Sequence, residues 1–263
     1  MLCTFIELFL IYILMAKNKL TKFAEMATYD NVFQLPFEKL KVEGFPLKGR
    51  WNTYFKNDNP IILELGCGKG EYTVGLAGKF TNKNFIGIDI KGARMWTGAT
   101  QAVNENLKNV AFIRTHIELI NNFFSENEIS EIWITFPDPQ MKKTNKRLTS
   151  TRFMKEYSNI LKKDGFVHLK TASNFLYSYT KEMIEANNLK IMLDTQDLYS
   201  SHPEDQILAI QTHYEQQWLE RGLNIKYIKF ICLKDKEWVE PEVEIEKDEY
   251  RSFGRRRRIE NKI

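Results

Sequence analysis

Three carboxylates in this chain stand where the ends of buried strands would bring them together. Glu64 is the last residue but one of a short apolar run, Asp89 closes a second run, and Asp138 lies between two prolines directly after a third. A glycine-rich stretch, Gly66–Gly70, follows the first of these acids. Parallel strands of an open α/β sheet end at one edge, where ligands bind, so we expect the carboxylates and the glycines to border one cleft.

The glycine stretch and its acids favour a cationic ligand over a dinucleotide. Gly66, Gly68 and Gly70 have the spacing G-x-G-x-G, one residue shorter than the dinucleotide pattern. Glu64 would repel a pyrophosphate and attract a positive charge such as the sulfonium or ammonium of S-adenosylmethionine. Asp89 follows the loop by about 20 residues, where an acid accepts hydrogen bonds from ribose hydroxyls. The alternative is a tight turn that binds no ligand.

The segment after Asp138 suits contacts with phosphates. Two prolines stiffen this loop and hold Asp138 over the predicted cleft. Basic side chains then cluster within eleven residues that contain no acid: Lys142, Lys143, Lys146, Arg147 and Arg152. Cations at the mouth of a cleft bind nucleic-acid phosphates. The alternatives are an ordinary turn and a solvated loop with scattered charge.

Alternating patterns of strand and helix position these residues. The predicted strands are Ile61–Leu65, Phe85–Asp89, Val110–Thr115, Glu131–Phe136, Phe166–Lys170, Leu189–Leu193 and Ile225–Leu233. The predicted helices are Glu71–Phe80, Gly92–Leu107, Arg152–Leu161, Phe175–Ala186 and Gln206–Arg221. This alternation predicts an α/β fold with a doubly wound sheet.

Composition sets the broad class. The chain has 263 residues, 43% of them hydrophobic, which is enough for one large domain with a buried core. The formal net charge of +4 is too small by itself to indicate a nucleic-acid partner. Cys3, Cys67 and Cys232 are far apart, with no C-x-x-C motif, so we expect neither a disulfide framework nor a metal site, and a reducing cytoplasm fits.

Four regions are predicted along the chain. Residues 1–14 are apolar but too short to span a bilayer, and we interpret them as an upstream extension of a protein that starts at Met15. A membrane anchor is the alternative. Residues 15–56 are predicted to form an N-terminal arm with little regular core, and residues 57–238 the α/β domain. Residues 239–263 form a charged tail with the run Arg255–Arg258, and its composition predicts disorder.

Residues 17–233 resemble the bacterial tRNA (guanine-N7-)-methyltransferases. The motifs that carry the resemblance are Glu64–Gly70, Gly87–Asp89, Phe136–Pro139, His168–Thr171 and Thr212–Glu215. The first two are general to methyltransferases, whereas F-P-D-P followed by lysines, with a later T-x-Y-E, is specific. The resemblance implies a Rossmann-like S-adenosylmethionine-dependent methyltransferase fold, with a mostly parallel sheet and an antiparallel last strand. It also implies methylation of N7 of a guanine in the variable loop of tRNA, position 46 in tRNA numbering.

The resemblance and the glycine loop together assign roles to individual residues. The cofactor-binding residues are Glu64, Gly66, Gly68, Asp89, His116 and Asp138. Asp138 is also the implied catalytic residue. The implied substrate contacts are Lys142, Thr212, Tyr214 and Glu215. S-adenosylmethionine is the expected cofactor and tRNA the expected partner, with no metal and no membrane, for a cytoplasmic monomer or homodimer.

The chain departs from the family pattern at three places. His116 stands where an acid is usual, and Glu118 is a conjectured substitute if the strand continues to it. Ala172 replaces the acid of the family's K-T-D motif. The loop from Gln140 to Arg147 is shorter and lacks the usual Trp, Pro and His. These departures affect fine substrate contacts more than the reaction.

The chemistry expected of Asp138 follows from guanine itself. N7 has a free lone pair at neutral pH, so no general base is needed, and positioning and electrostatics remain as the enzyme's tasks. We expect Asp138 to accept hydrogen bonds from guanine and to offset the positive charge that develops on the ring. Two alternatives are a methyltransferase for another substrate and a non-catalytic RNA-binding relative. Cofactor binding separates the second from an enzyme.

Overall fold

The computed structural model describes residues 18–249, in which one sheet is flanked by helices on both faces. The strands are β1 (Val32–Phe33), β2 (Ile61–Leu65), β3 (Asn84–Asp89), β4 (Val110–Arg114), β5 (Ile129–Thr135), β6 (Leu161–Thr171), β7 (Ile191–Thr195) and β8 (Lys226–Ile231). The helices are α1 (18–26), α2 (Phe37–Glu43), α3 (Trp51–Phe55), α4 (Glu71–Lys79), α5 (Gly92–Asn104), α6 (Thr151–Ile160), α7 (Asn174–Ala186), α8 (Leu198–Ser201) and α9 (His213–Leu219). Short 3-10 helices cover Ile117–Asn122 and Thr144–Lys146.

The sheet reverses its direction of growth at β2, as the fold class requires. The eight strands have the order β1-β4-β3-β2-β5-β6-β8-β7. The ladders from β1 to β6 are parallel, and β8 is antiparallel to both β6 and β7. The predicted mostly parallel sheet with an antiparallel last strand is therefore confirmed. The loops after β2 and β5 leave the sheet side by side, because Leu65 pairs with Ile134.

Side chains that alternate along the central strands pack into two separate hydrophobic cores, one on each face of the sheet. In β2, Leu63 and Leu65 face the core formed with α3, α6 and α7, whereas Ile62 faces the core formed with α4 and α5. Successive strand residues point to opposite faces of the sheet, so Glu64 points to the same face as Ile62, toward α4 and α5. The sheet thus aims this carboxylate at the helix that follows it.

The N-terminal arm differs from its prediction. Residues 15–56 were expected to have little regular core, but Leu40, Phe45, Trp51 and Phe55 are buried in the first core. Stacked and edge-to-face aromatic contacts join Trp51 to Phe55 and to other rings. These aromatic side chains bury large apolar areas although the segment has no strand or helix periodicity. The arm also adds β1 at the edge of the sheet.

The charged tail also differs from its prediction as far as Glu249. Ile245 packs against the first core, and Glu240 and Asp248 accept hydrogen bonds from the body of the domain. Composition alone does not predict such specific packing contacts and hydrogen bonds. The Arg255–Arg258 run and the predicted extension at residues 1–14 lie outside the described residues. Within residues 18–249, no helix is long and apolar enough to cross a membrane.

Candidate cofactor and substrate site

The glycine loop between β2 and α4 is held open toward the cleft. Gly66, Gly68 and Gly70 have φ values of 77°, 57° and 77°, in the left-handed region that glycine adopts without strain. The amides of Gly66 and Cys67 both donate to the carbonyl of Ile88, at 2.8 and 3.0 Å, which ties the loop to β3. Among residues 18–249, no heavy atom other than those of Gly66 and its two chain neighbours lies within 4 Å of the place where a Cβ of Gly66 would stand. A ligand can therefore approach the backbone there.

Asp89 lies beside this loop, as the sequence predicts. Its Oδ2 accepts a hydrogen bond from Gly68 N at 2.9 Å, and its Oδ1 accepts one from Lys91 N at 2.7 Å. The side chain is half-buried at the end of β3. Its carboxylate therefore joins the glycine loop to the start of α5 while keeping access to solvent. A role in binding ribose stays a prediction.

Glu64 lies beneath the loop rather than facing the cleft, which corrects the expectation from sequence. The residue is 3% exposed. Its Oε2 accepts from the amide and the hydroxyl of Thr73, at 2.9 and 2.5 Å, and its Oε1 accepts from Thr135 Oγ1 at 2.6 Å. Burial raises the pKa of Glu64 to about 7, although these hydrogen bonds act in the opposite direction. The carboxyl group thus links β2, β5 and the first turn of α4.

Asp138 lies in an exposed, stiff turn next to the glycine loop. Phe136 has φ 49°, an unusual value for a residue with a side chain, and its amide donates to the Lys170 carbonyl at 2.8 Å. Pro137 and Pro139 are buried on either side of Asp138, which is itself exposed. Asp138 Oδ1 accepts from Gln140 N at 3.1 Å. Strained backbone held by its surroundings is common at functional sites, and here it presents one carboxylate at the edge of the sheet.

A buried ion pair fixes the segment that approaches the glycine loop from the other side. Lys170 Nζ lies 2.8 Å from Glu215 Oε1, and both side chains are fully buried. Lys170 also donates to the carbonyls of Leu208 and Ile210, and Tyr199 donates to Glu215. Burial lowers the pKa of Lys170 and raises that of Glu215, while the charge of each opposes the shift of the other. The sequence prediction missed Lys170, which carries no motif of its own beyond H-L-K-T.

This pair changes the interpretation of the T-x-Y-E motif. Thr212 and Glu215 form a capping box at the start of α9, with Glu215 N donating to Thr212 Oγ1 at 3.1 Å. Glu215 is therefore not placed for direct substrate contact, contrary to the expectation. Tyr214 is placed at the cleft, because its Cε2 would lie 3.6 Å from a Cβ of Gly68 and Arg94 lies over its ring. The motif thus orients Tyr214 over the glycine loop.

Comparison with known proteins assigns the chain to a family. A family model described as a putative methyltransferase matches residues 58–228. A tRNA (guanine-N(7)-)-methyltransferase of Bacteroides fragilis is 59% identical over 245 residues, covering 93% of this chain and 97% of the relative. A protein of the same name from Porphyromonas gingivalis is 59% identical over 238 residues, covering 89% and 98%. The chain belongs to the tRNA (guanine-N7-)-methyltransferase family. The predicted resemblance is confirmed.

Solved structures support the same fold. The 16S rRNA methyltransferase KamB has a TM-score of 0.55 and 9% identity, and the match covers 70% of this chain and 93% of that one. A 30S ribosomal A1408 methyltransferase from an uncultured bacterium has a TM-score of 0.52 and 17% identity, with coverage of 70% and 93%. At these identities the likeness concerns the fold alone. It agrees with the Rossmann-like methyltransferase fold expected of a tRNA (guanine-N7-)-methyltransferase family member.

His116 borders a groove that begins next to Asp89. His116 is exposed just after β4 and lines a groove of about 360 Å³ together with Ile90, Leu119 and residues of the N-terminal arm. The conjecture that Glu118 replaces the family's usual acid here is wrong. The strand ends at Arg114, the chain turns into a 3-10 helix, and Glu118 pairs with Lys146 at 2.7 Å instead. Partial burial raises the pKa of Glu118, but the charge and hydrogen bond of Lys146 outweigh it, and the net shift is downward.

The basic segment divides into two groups. Lys142 and Lys143 are exposed, whereas Arg147 is 7% exposed and donates to the carbonyls of Gln140 and Met141. The Arg147 guanidinium also lies over the rings of Phe175 and Tyr179, at 4.7 and 4.4 Å. The predicted phosphate contact at Arg147 is therefore wrong, because its side chain shapes the loop from inside. Its cation–π contacts hold the loop against α7.

The remaining expectations concern metals and cysteines. Within residues 18–249, no group of three or more His, Cys, Asp or Glu side chains could hold a metal ion. Cys67 and Cys232 are buried free thiols in separate cores, and Cys3 lies outside the described residues. Ala172 is 5% exposed, so this family member has a small apolar side chain at the end of β6.

We predict that Glu64→Gln flattens the pH dependence of stability. The folded-state pKa of about 7 lies above the ordinary value of 4.5, so Glu64 stabilises the fold fully below pH 4.5 and loses that contribution as the pH rises through about 7. Between about pH 5 and about pH 8, the unfolding free energy of the wild type should fall by about 2–3 kcal/mol relative to Glu64→Gln. Urea denaturation at both pH values measures the difference. Glu38→Gln, at an exposed acid in the first turn of α2, is the control. Equal pH profiles for the wild type and Glu64→Gln would contradict the prediction.

Proposed function

We propose that this protein transfers a methyl group from S-adenosylmethionine to N7 of a guanine in the variable loop of tRNA. The observation that carries the proposal is the juxtaposition of an open glycine loop after β2 with an exposed carboxylate, Asp138, after β5. The two loops leave neighbouring, paired strands, which lie about 4.8 Å apart in a sheet. Relatives that are 59% identical over nearly their whole length carry the name of this activity.

The residues of the cleft fit S-adenosylmethionine. The open backbone at Gly66 admits a ligand, Asp89 offers acceptors for ribose hydroxyls, and the groove at His116 continues from Asp89 through the adjacent Ile90. When bound, this cofactor supplies an electrophilic methyl group and a positive charge. We propose that Glu64 contributes indirectly, by holding Thr73 at the start of α4 and Thr135 at the end of β5.

The protein's own part in the reaction is to orient guanine and to balance charge. N7 needs no general base, so a carboxylate beside the ring acts electrostatically rather than as a proton acceptor. We propose that Asp138 accepts hydrogen bonds from guanine N–H groups, since its turn leaves the side chain exposed. Tyr214 lies beside Gly68, at the glycine loop. Because the turn is stiffened by Pro137 and Pro139, little reorganisation is needed during the reaction.

Methylation of a site-specifically altered tRNA tests the acceptor atom. In the test transcript, 7-deazaguanosine replaces the variable-loop guanine, so that a C–H group stands in place of N7. The proposal expects methyl incorporation into the unmodified transcript and none into the altered one. Equal incorporation into both would show that another atom or another nucleotide is the acceptor. Incorporation into protein or small molecules alone would favour a different substrate class.

Lys142 and Lys143 are predicted to bind tRNA phosphates. The double variant Lys142→Ala/Lys143→Ala should weaken tRNA affinity roughly tenfold near 0.1 M salt and lower the slope of log K against log salt by about 1.5, because fewer counterions are released. Lys162→Ala/Lys163→Ala is the matched control, since this exposed pair stands at the opposite end of β6. Filter binding over a range of salt concentrations measures both. Equal slopes for the two variants would mean that Lys142 and Lys143 do not contact RNA.

The substrate bears on where in the cell the protein acts. A tRNA-modifying enzyme meets its substrate in the cytoplasm, and we propose that location, with a monomer or a homodimer as the working form. Light scattering of the full-length protein distinguishes the two forms.

A further inference from the structure

The groove that begins next to Asp89 is lined by two distant parts of the chain. Its volume of about 360 Å³ is within the range of small-molecule sites. The N-terminal arm contributes residues 34–37 and Leu40, and the segments after β3 and β4 contribute Ile90, Thr115 and His116. The N-terminal arm therefore forms part of the wall of a cavity at the edge of the sheet where ligands are expected.

Arg114 ties the arm to the sheet at this groove. Its Nη1 donates to Gln34 Oε1 at 3.2 Å, and its Nε donates to the carbonyl of Ile90 at 3.4 Å. The ring of Phe23 lies against the same guanidinium, with its centroid 4.5 Å away. In addition, β1 pairs with β4 immediately before Gln34 and Arg114. The arm is thus fixed beside the end of β3, and the groove is a built feature of the fold.

Phe37 and Ile90 expose apolar surface at this groove. They are 54% and 38% exposed, whereas Leu40, one turn after Phe37 in α2, is buried in the first core. The amide of Leu40 donates to the carbonyl of Pro36 at 3.0 Å, which fixes the start of the helix. Exposed apolar side chains that stand singly are ordinary, but these two line one cavity. A flat apolar ligand in the groove would cover both.

The position of the groove indicates which part of S-adenosylmethionine it receives. Ile90 directly follows Asp89, the residue proposed for the ribose, so the base attached to that ribose has the groove within reach. Adenine has two apolar faces, and its edge carries an amino donor and nitrogen acceptors. Phe37 and Ile90 suit the faces, while the side chains of Thr115 and His116 offer polar groups for the edge.

We propose that the ring of Phe37 stacks on the adenine of S-adenosylmethionine, so that the N-terminal arm forms part of the cofactor site. This inference rests on the proposed function, because it takes S-adenosylmethionine as the ligand of the cleft. The adenine does not change when the methyl group leaves, so the contact is equally strong in the ground state and the transition state. Loss of the ring therefore raises the KM for the cofactor and leaves kcat unchanged.

Calorimetry with two ligands tests the contact. S-adenosylhomocysteine is the cofactor without its methyl group, and 5′-methylthioadenosine keeps the adenine and the ribose but lacks the amino-acid group. Phe37→Ala should bind both ligands roughly tenfold more weakly, as for the loss of one aromatic ring from a stacked base. Phe37→Tyr keeps the ring and should bind both ligands nearly as tightly as the wild type.

Val42→Ala is the matched control. Val42 is an apolar residue of the same helix, is 84% exposed and does not line the groove. This variant should keep the wild-type affinity for both ligands. Because Phe37 and Val42 are exposed, both Ala variants should unfold at nearly the same temperature as the wild type.

Four results would overturn the inference. Wild-type affinity of Phe37→Ala for both ligands would show that the ring does not contact adenine, and weaker filter binding of tRNA to the same variant would then assign the ring to an RNA base. A loss for S-adenosylhomocysteine alone would place Phe37 at the amino-acid end of the ligand. An equal loss in Val42→Ala would attribute the effect to α2 as a whole. Binding by Phe37→Tyr as weak as that by Phe37→Ala would show that the aromatic ring is not what binds.

Failure of this inference differs from failure of the proposed function, because the calorimetry needs no RNA. If the wild type binds neither ligand, the cofactor assignment fails and the role of Phe37 fails with it. If the wild type binds both ligands and Phe37→Ala binds them equally well, only the role of Phe37 fails. If Phe37→Ala binds them more weakly but the wild type forms no 7-methylguanosine in tRNA, the proposed acceptor fails and the stacking contact stands.

Discussion

Lys170→Met is expected to destabilise the fold by about 3–5 kcal/mol, the loss typical when one partner of a buried ion pair is removed. Glu215 would stay fully buried with no cation beside it, and the carbonyls of Leu208 and Ile210 would lose their donor. The midpoint of urea denaturation should fall accordingly. Because Tyr214 neighbours Glu215 in sequence and lies over the glycine loop, affinity for S-adenosylmethionine should fall as well.

A double variant separates the ion pair from simple loss of packing. In Lys170→Met/Glu215→Gln, a neutral amide replaces the buried carboxylate, and its single oxygen still accepts from one of the two donors, Thr212 N or Tyr199 Oη. The double variant should therefore be more stable than Lys170→Met alone, by a coupling energy of about 1–3 kcal/mol. Two results would show that the ion pair does not stabilise the fold as its burial indicates. One is a loss of less than about 1 kcal/mol of unfolding free energy in Lys170→Met, and the other is a double variant that is less stable than Lys170→Met.

Asp138→Asn is expected to slow methyl transfer about 100-fold, as for the loss of one preorganised electrostatic contact. Asn keeps the oxygen that accepts from Gln140 N and fits the same turn, so the substitution removes charge with little change in shape. The effect should fall on the single-turnover rate and leave the tRNA dissociation constant nearly unchanged, because the charge on guanine develops only in the transition state. Rapid-quench methylation and filter binding measure the two quantities.

The control for Asp138→Asn is Asp164→Asn. Asp164 is an exposed acid with φ 61°, within the first half of β6 and away from its carboxyl end, and Asn tolerates that conformation. The control should keep wild-type turnover. A normal rate for Asp138→Asn would remove this carboxylate from the mechanism, and an equal loss of rate and of affinity for both substrates would make it a turn residue.

The central sheet was predictable because its strands are short, continuous apolar runs. The runs at Ile61–Leu65 and Phe85–Asp89 place Glu64 and Asp89 at strand ends by sequence position alone. The first strand, Val32–Phe33, was missed, because two residues carry no periodicity and their pairing with β4 depends on tertiary structure.

The segment before α9 shows that a helical sequence pattern does not always give a helix. A helix was predicted from Gln206, but regular structure starts only at His213. The carbonyls of Leu208 and Ile210 accept from the buried ammonium of Lys170 instead of from helical amides. A lysine 38 residues away in sequence thus decides the local conformation, which no local pattern contains.

The sequence predicts where the site residues lie in the fold better than it predicts where their side chains point. Sequence places Glu64 near the cofactor loop, but which face of β2 it occupies depends on the register of the sheet and on the hydroxyls of Thr73 and Thr135. A count of basic residues does not distinguish exposed Lys142 from Arg147, which lies between backbone carbonyls and aromatic rings. Charge patterns predict the partner, whereas burial decides which side chains reach it.

Nucleoside mass spectrometry of tRNA tests the central claim most directly. An unmodified tRNA transcript is incubated with the full-length protein and S-adenosylmethionine, digested to nucleosides and compared with the same reaction containing Asp138→Asn. We expect 7-methylguanosine to form with the wild type, to form at a rate about 100-fold lower with Asp138→Asn, and no other methylated nucleoside to accumulate. A different methylated nucleoside, or none while the protein binds S-adenosylmethionine, would contradict this expectation.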